Sequence, residues 1–343
     1  MNMGLDHQHD DLPDTLDAVA TQLQARTGAV CVWWQLTGFI SVEGPDAISF
    51  LDGLTTQDLA GLPVGVARHA LFLTTKARII APTIAYRASE TCVLLELDPD
   101  LQESLLAHLK RYRLRAKLEL QAAPLAVVSL VGPASEAWAG KPGWFDTAAA
   151  FGLPARSFVG DIDEASQIVA VEAPNAEIGL AEPESLDALR IELGVPALND
   201  LLVDSMPAEV GAMELAVSLT KGCYLGQEPV ARLHYRGKAN RGLRQVRLSA
   251  EVPDDYFADR EPGSDGYLAL ARASTDGQAG SGGGGGGRSV GTLTSWAHTP
   301  AGELVGLAIL RREIEDGELL QLEGAAVTVL AGLQAAAPLG GSS

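Results

Sequence analysis

Residues 221–228, Lys221-Gly222-Cys223-Tyr224-Leu225-Gly226-Gln227-Glu228, constrain the fold more than any other stretch of the chain. They bring a thiol, an ammonium, a carboxylate and an amide into one short run. Two glycines interrupt both the helical and the strand period, so the run reads as a loop or a tight strand-to-helix turn. Pro229 cannot extend a hydrogen-bonded ladder, but it fits the first turn of a following helix. Such a loop needs a rigid scaffold around it, and that is where chemistry tends to sit.

The rest of the chain is large enough to supply that scaffold. Its 343 residues leave room for two or three domains. Hydrophobic residues make up 47% and charged residues 20%, as in ordinary globular proteins. No apolar run approaches the length of a membrane span. Met1 to Asp14 has neither a cationic start nor an apolar core, so it reads as neither a secretory nor a mitochondrial targeting segment. The expectation is a cytoplasmic protein of bacterial type, monomeric and without membrane contact.

Three cysteines, Cys31, Cys92 and Cys223, are too far apart in sequence for a disulfide framework or a self-contained zinc site. Cys31 and Cys92 lie in apolar strand-like runs and read as buried structural thiols. The net charge of -19 would repel nucleic acid and anionic membranes, so direct nucleic-acid contact is not expected. Two segments run against that charge: Lys110 to Lys117, and Arg232 to Arg247. Together they suggest an electropositive cleft for an anionic ligand.

In chain order, Leu16, Val19, Leu23 and Val30 leave room for one weakly amphipathic helix in an otherwise polar start. Val32 to Ile40 reads as a strand. Pro45 and Asp46 open a helix burying Ile48, Phe50 and Leu51, and Gly53 ends it. Ala70 to Ile80 reads as a hairpin. Thr91 to Leu97 is a short strand, and Pro99 opens a helix over Leu101, Leu105, Leu106 and Leu109. Arg111 to Leu118 alternates strictly, placing Arg111, Arg113, Arg115 and Lys117 on one face of a strand. That face is either simply solvated or a surface for a polyanion such as RNA phosphates. Ala126 to Val131 and Ile168 to Val171 read as strands. Ser185 caps a helix whose buried face is Leu186, Leu189 and Leu193, with Arg190 and Glu192 off that face. From the residues alone, Arg190 and Glu192 form either a surface pair, worth little, or part of a binding site. Arg241 to Leu248, 290–295, 304–311 and 326–330 read as short strands, and Gly282 to Gly287 as a flexible loop.

The 221–228 run, continued through Ala231, Arg232 and Arg241, resembles the signature of the YgfZ family of folate-binding, iron–sulfur-related proteins. These are relatives of the glycine-cleavage T-protein aminomethyltransferase and of mitochondrial iron–sulfur assembly factors. Other blocks agree: Gly44-Pro45-Asp46-Ala47 to Asp58, Arg190-Ile191-Glu192 with Gly194 and Pro196, Pro207 with Glu209, and Gly291 with Thr294-Ser295. The resemblance implies an α+β fold with three subdomains. Two interleaved α/β subdomains surround a central channel, and an antiparallel β-barrel follows at the C-terminus. The corresponding organisation is an acidic tail at 1–30, two interleaved folate-binding subdomains at 31–240, the barrel at 241–333 with a glycine-rich loop at 276–288, and a tail at 334–343.

The resemblance also implies tetrahydrofolate as ligand and work in iron–sulfur cluster assembly or repair, with iron–sulfur assembly proteins or client enzymes as partners, including those that modify tRNA. Glu192 would orient the pterin, because adjacent N–H donors suit a carboxylate. Arg190, Gln227 and Glu228 would join it in binding the cofactor, and Arg111, Arg113 and Arg115 could hold the glutamate tail. Cys223, with Lys221 nearby to favour the thiolate, would be the redox or cluster-contacting thiol. One cysteine cannot hold a cluster alone, so a shared iron–sulfur cluster takes its other ligands from a partner or a small thiol. Two departures stand out. The relatives usually have glycine where Ala77 stands. Ala81 and Pro82 occupy the positions of the aminomethyltransferases' acidic pair, and neither can exchange a proton, which speaks against aminomethyl transfer.

Overall fold

Short apolar strands joined by tight turns dominate the structure, a computed structural model that describes residues 15–34, 37–172, 177–249, 268–272, 289–322 and 325–330. The chain passes back and forth between two units. One draws on residues up to 47, 62–67 and 85–186, and the other on 48–61, 68–84 and from 187 onward.

In the first unit, α1 (Ala18–Thr27) starts at Asp17, whose Oδ1 accepts the Ala20 amide at 2.8 Å. β1 (Ala29–Trp34) pairs antiparallel with β7 (Ala126–Val131) and parallel with β10 (Ile178–Leu180). β8 (Trp144–Asp146) and β9 (Ala155–Gly160) complete that five-stranded sheet, in the order β10-β1-β7-β9-β8. Cys31, Val128, Leu130, Trp144 and Phe158 form its core with Ala165 and Val169 of α5 (Ile162–Glu172). β2 (Gly38–Glu43) pairs antiparallel with β5 (Cys92–Leu97) and β6 (Glu119–Ala123). α3 (Pro99–Arg113) buries Leu105 and Leu109.

Several expectations for this unit are corrected. The run from Val32 to Ile40 is not one strand, because β1 and β2 lie in different sheets. Residues that favour strands on both sides, such as Val32, Phe39 and Ile40, do not reveal where the chain leaves one sheet for another. Ile168 to Val171 is helical, inside α5, where Ala165 and Val169 share a face and Asp163 and Glu164 sit in the first turn. Arg111 to Leu118 is not a strand either. α3 runs through Arg113, and Leu114 breaks it at φ 41°, exposed to solvent. Residues two apart on a helix do not face each other, so Arg111 and Arg113 diverge. They and Arg115 are exposed.

In the second unit, β3 (Ala67–Leu73) and β4 (Ile79–Arg87) flank a turn closed by Thr74 N to Arg78 O (2.8 Å) and Ala77 N to Thr74 O (2.9 Å). Ala77 adopts φ 58°, a left-handed conformation that glycine accepts more readily. Ala81 and Pro82 lie buried within β4. α6 (Pro183–Glu192) begins two residues before the expected Ser185 cap. The C-terminal region closes as a six-stranded barrel. Its strands are β11 (Arg241–Leu248), β12 (Leu268–Arg272), β13 (Ser289–His298), β14 (Leu304–Arg311), β15 (Leu319–Leu322) and β16 (Ala325–Val329), and they close in the order β11-β14-β13-β12-β15-β16. Closure removes the unpaired edges that an open sheet would expose. β12 and β15 were not foreseen, being short and set between turn-rich segments. Val246, Leu270, Leu293, Leu310, Leu320 and Val327 fill the barrel. A second core joins Leu71, Leu73 and Ile79 to Tyr224, Val230 and the barrel residue Leu307.

The glycine run Gly282 to Gly287 lies outside the described residues, as do the first fourteen residues and the C-terminal tail beyond 330. Mixed α/β sheets and a closed antiparallel barrel match the expected α+β class. Among the described residues, no helix is long and apolar enough to cross a membrane.

Candidate functional site

The signature run is a loop, as its glycines require, and it feeds α8 (Gln227–Arg236) with Pro229 in the first turn. The loop is pinned at both ends within its unit. At one end, the Lys221 ammonium donates to the Asp52 carbonyl oxygen (2.6 Å) and Oδ1 (3.1 Å), and to the carbonyls of Thr55 (3.1 Å) and Gln57 (2.7 Å). Asp52 ends α2 (Ala47–Asp52), and Thr55 and Gln57 follow it. Burial lowers the Lys221 pKa, while the Asp52 carboxylate and, more distantly, Asp58 pull it back up. All three ammonium protons therefore have protein acceptors. At the other end, the Leu225 amide donates to the Gly53 carbonyl (3.1 Å). Gly226 turns into α8 at φ 85°, where a Cβ would lie 2.6 Å from the Thr74 carbonyl oxygen. Only glycine fits there.

Thr56 ties the same segments together. Its hydroxyl donates to the Ala216 carbonyl (2.6 Å) and accepts the Leu71 amide (3.0 Å), and its own carbonyl accepts from Ser218 N (2.9 Å). Between the anchors, Tyr224 points into the core, and burial pushes its phenol up to about 12. Its ring centre lies 5.4 Å from the Lys221 nitrogen, a cation–π contact. Cys223 is exposed, and Cys92 is half-buried. Cys31 is fully buried, and its thiol is pushed up to about 12 by burial and then by the Glu172 charge.

Arg190 corrects the expectation that it lies off the buried face beside Glu192. Its guanidinium is largely buried and donates to Asp187 Oδ1 (2.5 Å), Asp200 Oδ2 (2.8 Å) and Ser295 Oγ (2.8 Å). Asp200 is completely buried. It also accepts Ser295 Oγ (2.6 Å), the Ala197 amide (2.9 Å) and the Thr294 hydroxyl. A buried carboxylate survives only when its lone pairs are met in this way. Glu192 ends α6 exposed, and Gln245 Nε2 donates to the carbonyls of Ile191 (2.5 Å) and Glu192 (3.0 Å). Glu209 closes its own turn by accepting Met206 N (2.9 Å) and pairs with Arg78 (3.1 Å).

Beside α8 lies a cavity of about 760 Å3. Gln227, Glu228, Arg232 and Arg236 line it, with Tyr224 and Met206 among its apolar walls. Neither Cys223 nor Glu192 is among its lining residues, so this hollow does not unite the two. Among the described residues, no group of three His, Cys, Asp or Glu is gathered that could hold a metal ion.

Sequence reasoning missed Asp52 and Asp200. Asp52 sat in a block treated as a simple helix, and nothing in the sequence around Asp200 marks a buried anion. Thr294 and Ser295 stood in a noticed motif, but their shared acceptor was not deducible from it.

Residues 17–149 match the GCVT N-terminal domain family. The mitochondrial iron-sulfur cluster assembly factor IBA57 of Homo sapiens is 30% identical over 302 residues, 81% of this chain and 81% of the relative. The chain belongs to the YgfZ/IBA57 family. Another relative, the tRNA-modifying protein YgfZ of Edwardsiella ictaluri, is 33% identical over 235 residues, 62% of this chain and 69% of that protein. The glycine cleavage system aminomethyltransferase T from Bartonella henselae superposes with a TM-score of 0.71 at 20% identity, covering 95% of this chain and 91% of the other. That likeness gives the YgfZ/IBA57 chain its fold: mixed sheets followed by a closed barrel. Within this family fold, the Lys221 anchor and the Arg190–Asp200 cluster are the groups that hold the signature loop and the end of α6.

Proposed function

We propose that this chain works in iron–sulfur cluster assembly or repair, binding tetrahydrofolate and presenting Cys223 to an iron–sulfur assembly protein or client enzyme. One observation carries the reading: Cys223 is exposed on a loop whose neighbours Lys221, Tyr224 and Gly226 are all fixed. A thiol held in place but open to solvent suits hand-over to a partner better than a packing role. The cluster is cargo. Cys223 supplies one thiolate, and the remaining ligands come from the partner or a small thiol, since clusters commonly take four. The names of the IBA57 and YgfZ relatives point the same way.

Folate chemistry fits part of the site. The exposed Glu192 carboxylate suits the paired N–H donors of a pterin. Arg190 is spent on Asp187, Asp200 and Ser295, so its part is to position the helix end that carries Glu192. Lys221 likewise positions the loop. Tetrahydrofolate is a one-carbon carrier, but the buried Ala81 and Pro82 offer no proton-exchanging group for aminomethyl transfer. Arg111, Arg113 and Arg115 do not form one face, so they do not make a joint cradle for the glutamate tail.

Two measurements test the proposal. Purified protein titrated with tetrahydrofolate should bind it, and Glu192→Gln should weaken binding; no binding at high micromolar ligand removes the folate claim. Cells carrying Cys223→Ser should lose activity of their iron–sulfur enzymes, and full activity there removes the hand-over claim.

A further inference from the structure

The cavity beside α8 has a chemistry of its own. Its volume lies within the range of small-molecule sites. Tyr224, Met206, Leu225 and Leu233 give it apolar walls, including one aromatic ring and one thioether. Arg232 and Arg236 both line it and are exposed. Residues four apart share a helix face, so the two guanidinium groups converge on one opening, as Arg111 and Arg113 do not. Arg232 bonds Glu228 at 3.3 Å, with both side chains mostly in solvent (73% and 85% exposed). Such a pair is worth little and is readily exchanged for a better acceptor. Arg236 has no hydrogen bond or ion pair among the described residues.

Two convergent, weakly engaged guanidinium groups over a partly aromatic wall call for an anion with an apolar body. Planar guanidinium groups match carboxylates in paired hydrogen bonds. We propose that this cavity binds a small aromatic carboxylic acid, its ring against Tyr224 and Met206 and its carboxylates on Arg232 and Arg236. Identifying that acid with the benzoyl-glutamate end of folate rests on the folate reading above; the cavity's preference for an aromatic acid does not.

The test is calorimetric titration of the full chain with p-aminobenzoyl-L-glutamate, which carries the aromatic acid without a pterin. Titrations with 5-formyltetrahydrofolate and with inorganic phosphate run beside it. The expected result is binding of p-aminobenzoyl-L-glutamate that weakens about ten-fold or more in the double variant Arg232→Ala/Arg236→Ala and is unchanged in Arg312→Ala, an exposed arginine that does not line the cavity. Both changed arginines are exposed, so the double variant should fold, and its unfolding curve checks this. The proposal is overturned if p-aminobenzoyl-L-glutamate fails to bind at millimolar concentration or binds the double variant equally well. It is also overturned if phosphate binds as tightly, which would leave only an anion patch. If 5-formyltetrahydrofolate binds the double variant undiminished, folate binds elsewhere and this assignment falls while the folate reading stands. If the pterin-free acid binds and 5-formyltetrahydrofolate does not, the cavity stands and the folate reading falls.

Discussion

Lys221 and Asp52 meet across 169 positions of sequence, the ammonium 2.6 Å from the Asp52 carbonyl oxygen and 3.1 Å from its carboxylate. With the carbonyls of Thr55 and Gln57, they form an oxygen cage around a side chain that is only 1% exposed. The ammonium there behaves as a structural cation. It holds the loop bearing Cys223 against the segment that follows α2, and so sets where the thiol is offered.

Replacing the cation by a hydrocarbon of similar length tests this role. Lys221→Met removes the donor and leaves the Asp52 carboxylate and three carbonyls short of a partner. The cost should be about 2–4 kcal/mol of stability in urea unfolding. A loss below about 1 kcal/mol, within the range of surface pairs, would show that the cage contributes no more than a surface contact.

The Arg190–Asp200 cluster should be more costly to break. Asp200→Ala strips a fully buried carboxylate from Arg190, Ser295, Thr294 and the Ala197 amide. Removing one partner from a buried charge pair costs about 3–5 kcal/mol. Asp187→Ala, at the partly exposed end of the same guanidinium, should cost less. Equal losses in the two variants would contradict the central place of Asp200.

The three thiols should react in order of access. Iodoacetamide applied to native protein should label Cys223 first, Cys92 more slowly, and Cys31 only after unfolding. Burial, then the Glu43 charge, raises the Cys92 pKa, and Cys31 is pushed up to about 12. Peptide mass spectrometry reads the order, and early labelling of Cys31 would contradict its burial.

His69 should make stability depend on pH. It is buried in β3, and burial, then the Arg68 charge, lowers its pKa to about 4. An unfolded histidine titrates near 6.5, so between these values the unfolded chain binds more protons than the folded one. Stability from this group is therefore fully present above about pH 6.5 and is lost as pH falls towards 4, by about 3 kcal/mol in all. His69→Phe should flatten that part of the profile. An unchanged slope would move the acid sensitivity to other groups.

Local signals carried much of the fold. Gly53, Pro99 and Pro229 marked where helices stop or start, and the apolar runs at 92–97 and 126–131 became strands. The same signals failed where two periods overlap. The alternating cations from Arg111 satisfied a strand pattern, but the leucine repeat from Leu101 had already committed the chain to a helix that lasts through Arg113. Four apolar residues at 168–171 could not distinguish strand from helix. Arg190 looked like a surface residue because its two buried partners, Asp200 and Ser295, are 10 and 105 positions away.

What the residues determined unaided was the loop at 221–228, its family and the class of the fold, because glycine, proline and cysteine act through local geometry and reactivity. What the tertiary structure alone decided was which charges are spent and which remain open. Lys221 and Arg190 are consumed by distant oxygens, whereas Arg232 and Arg236 stand open beside a cavity. A hydrogen bond or a buried ion pair depends on distance in space and on water excluded around it, and neither quantity is written along the chain.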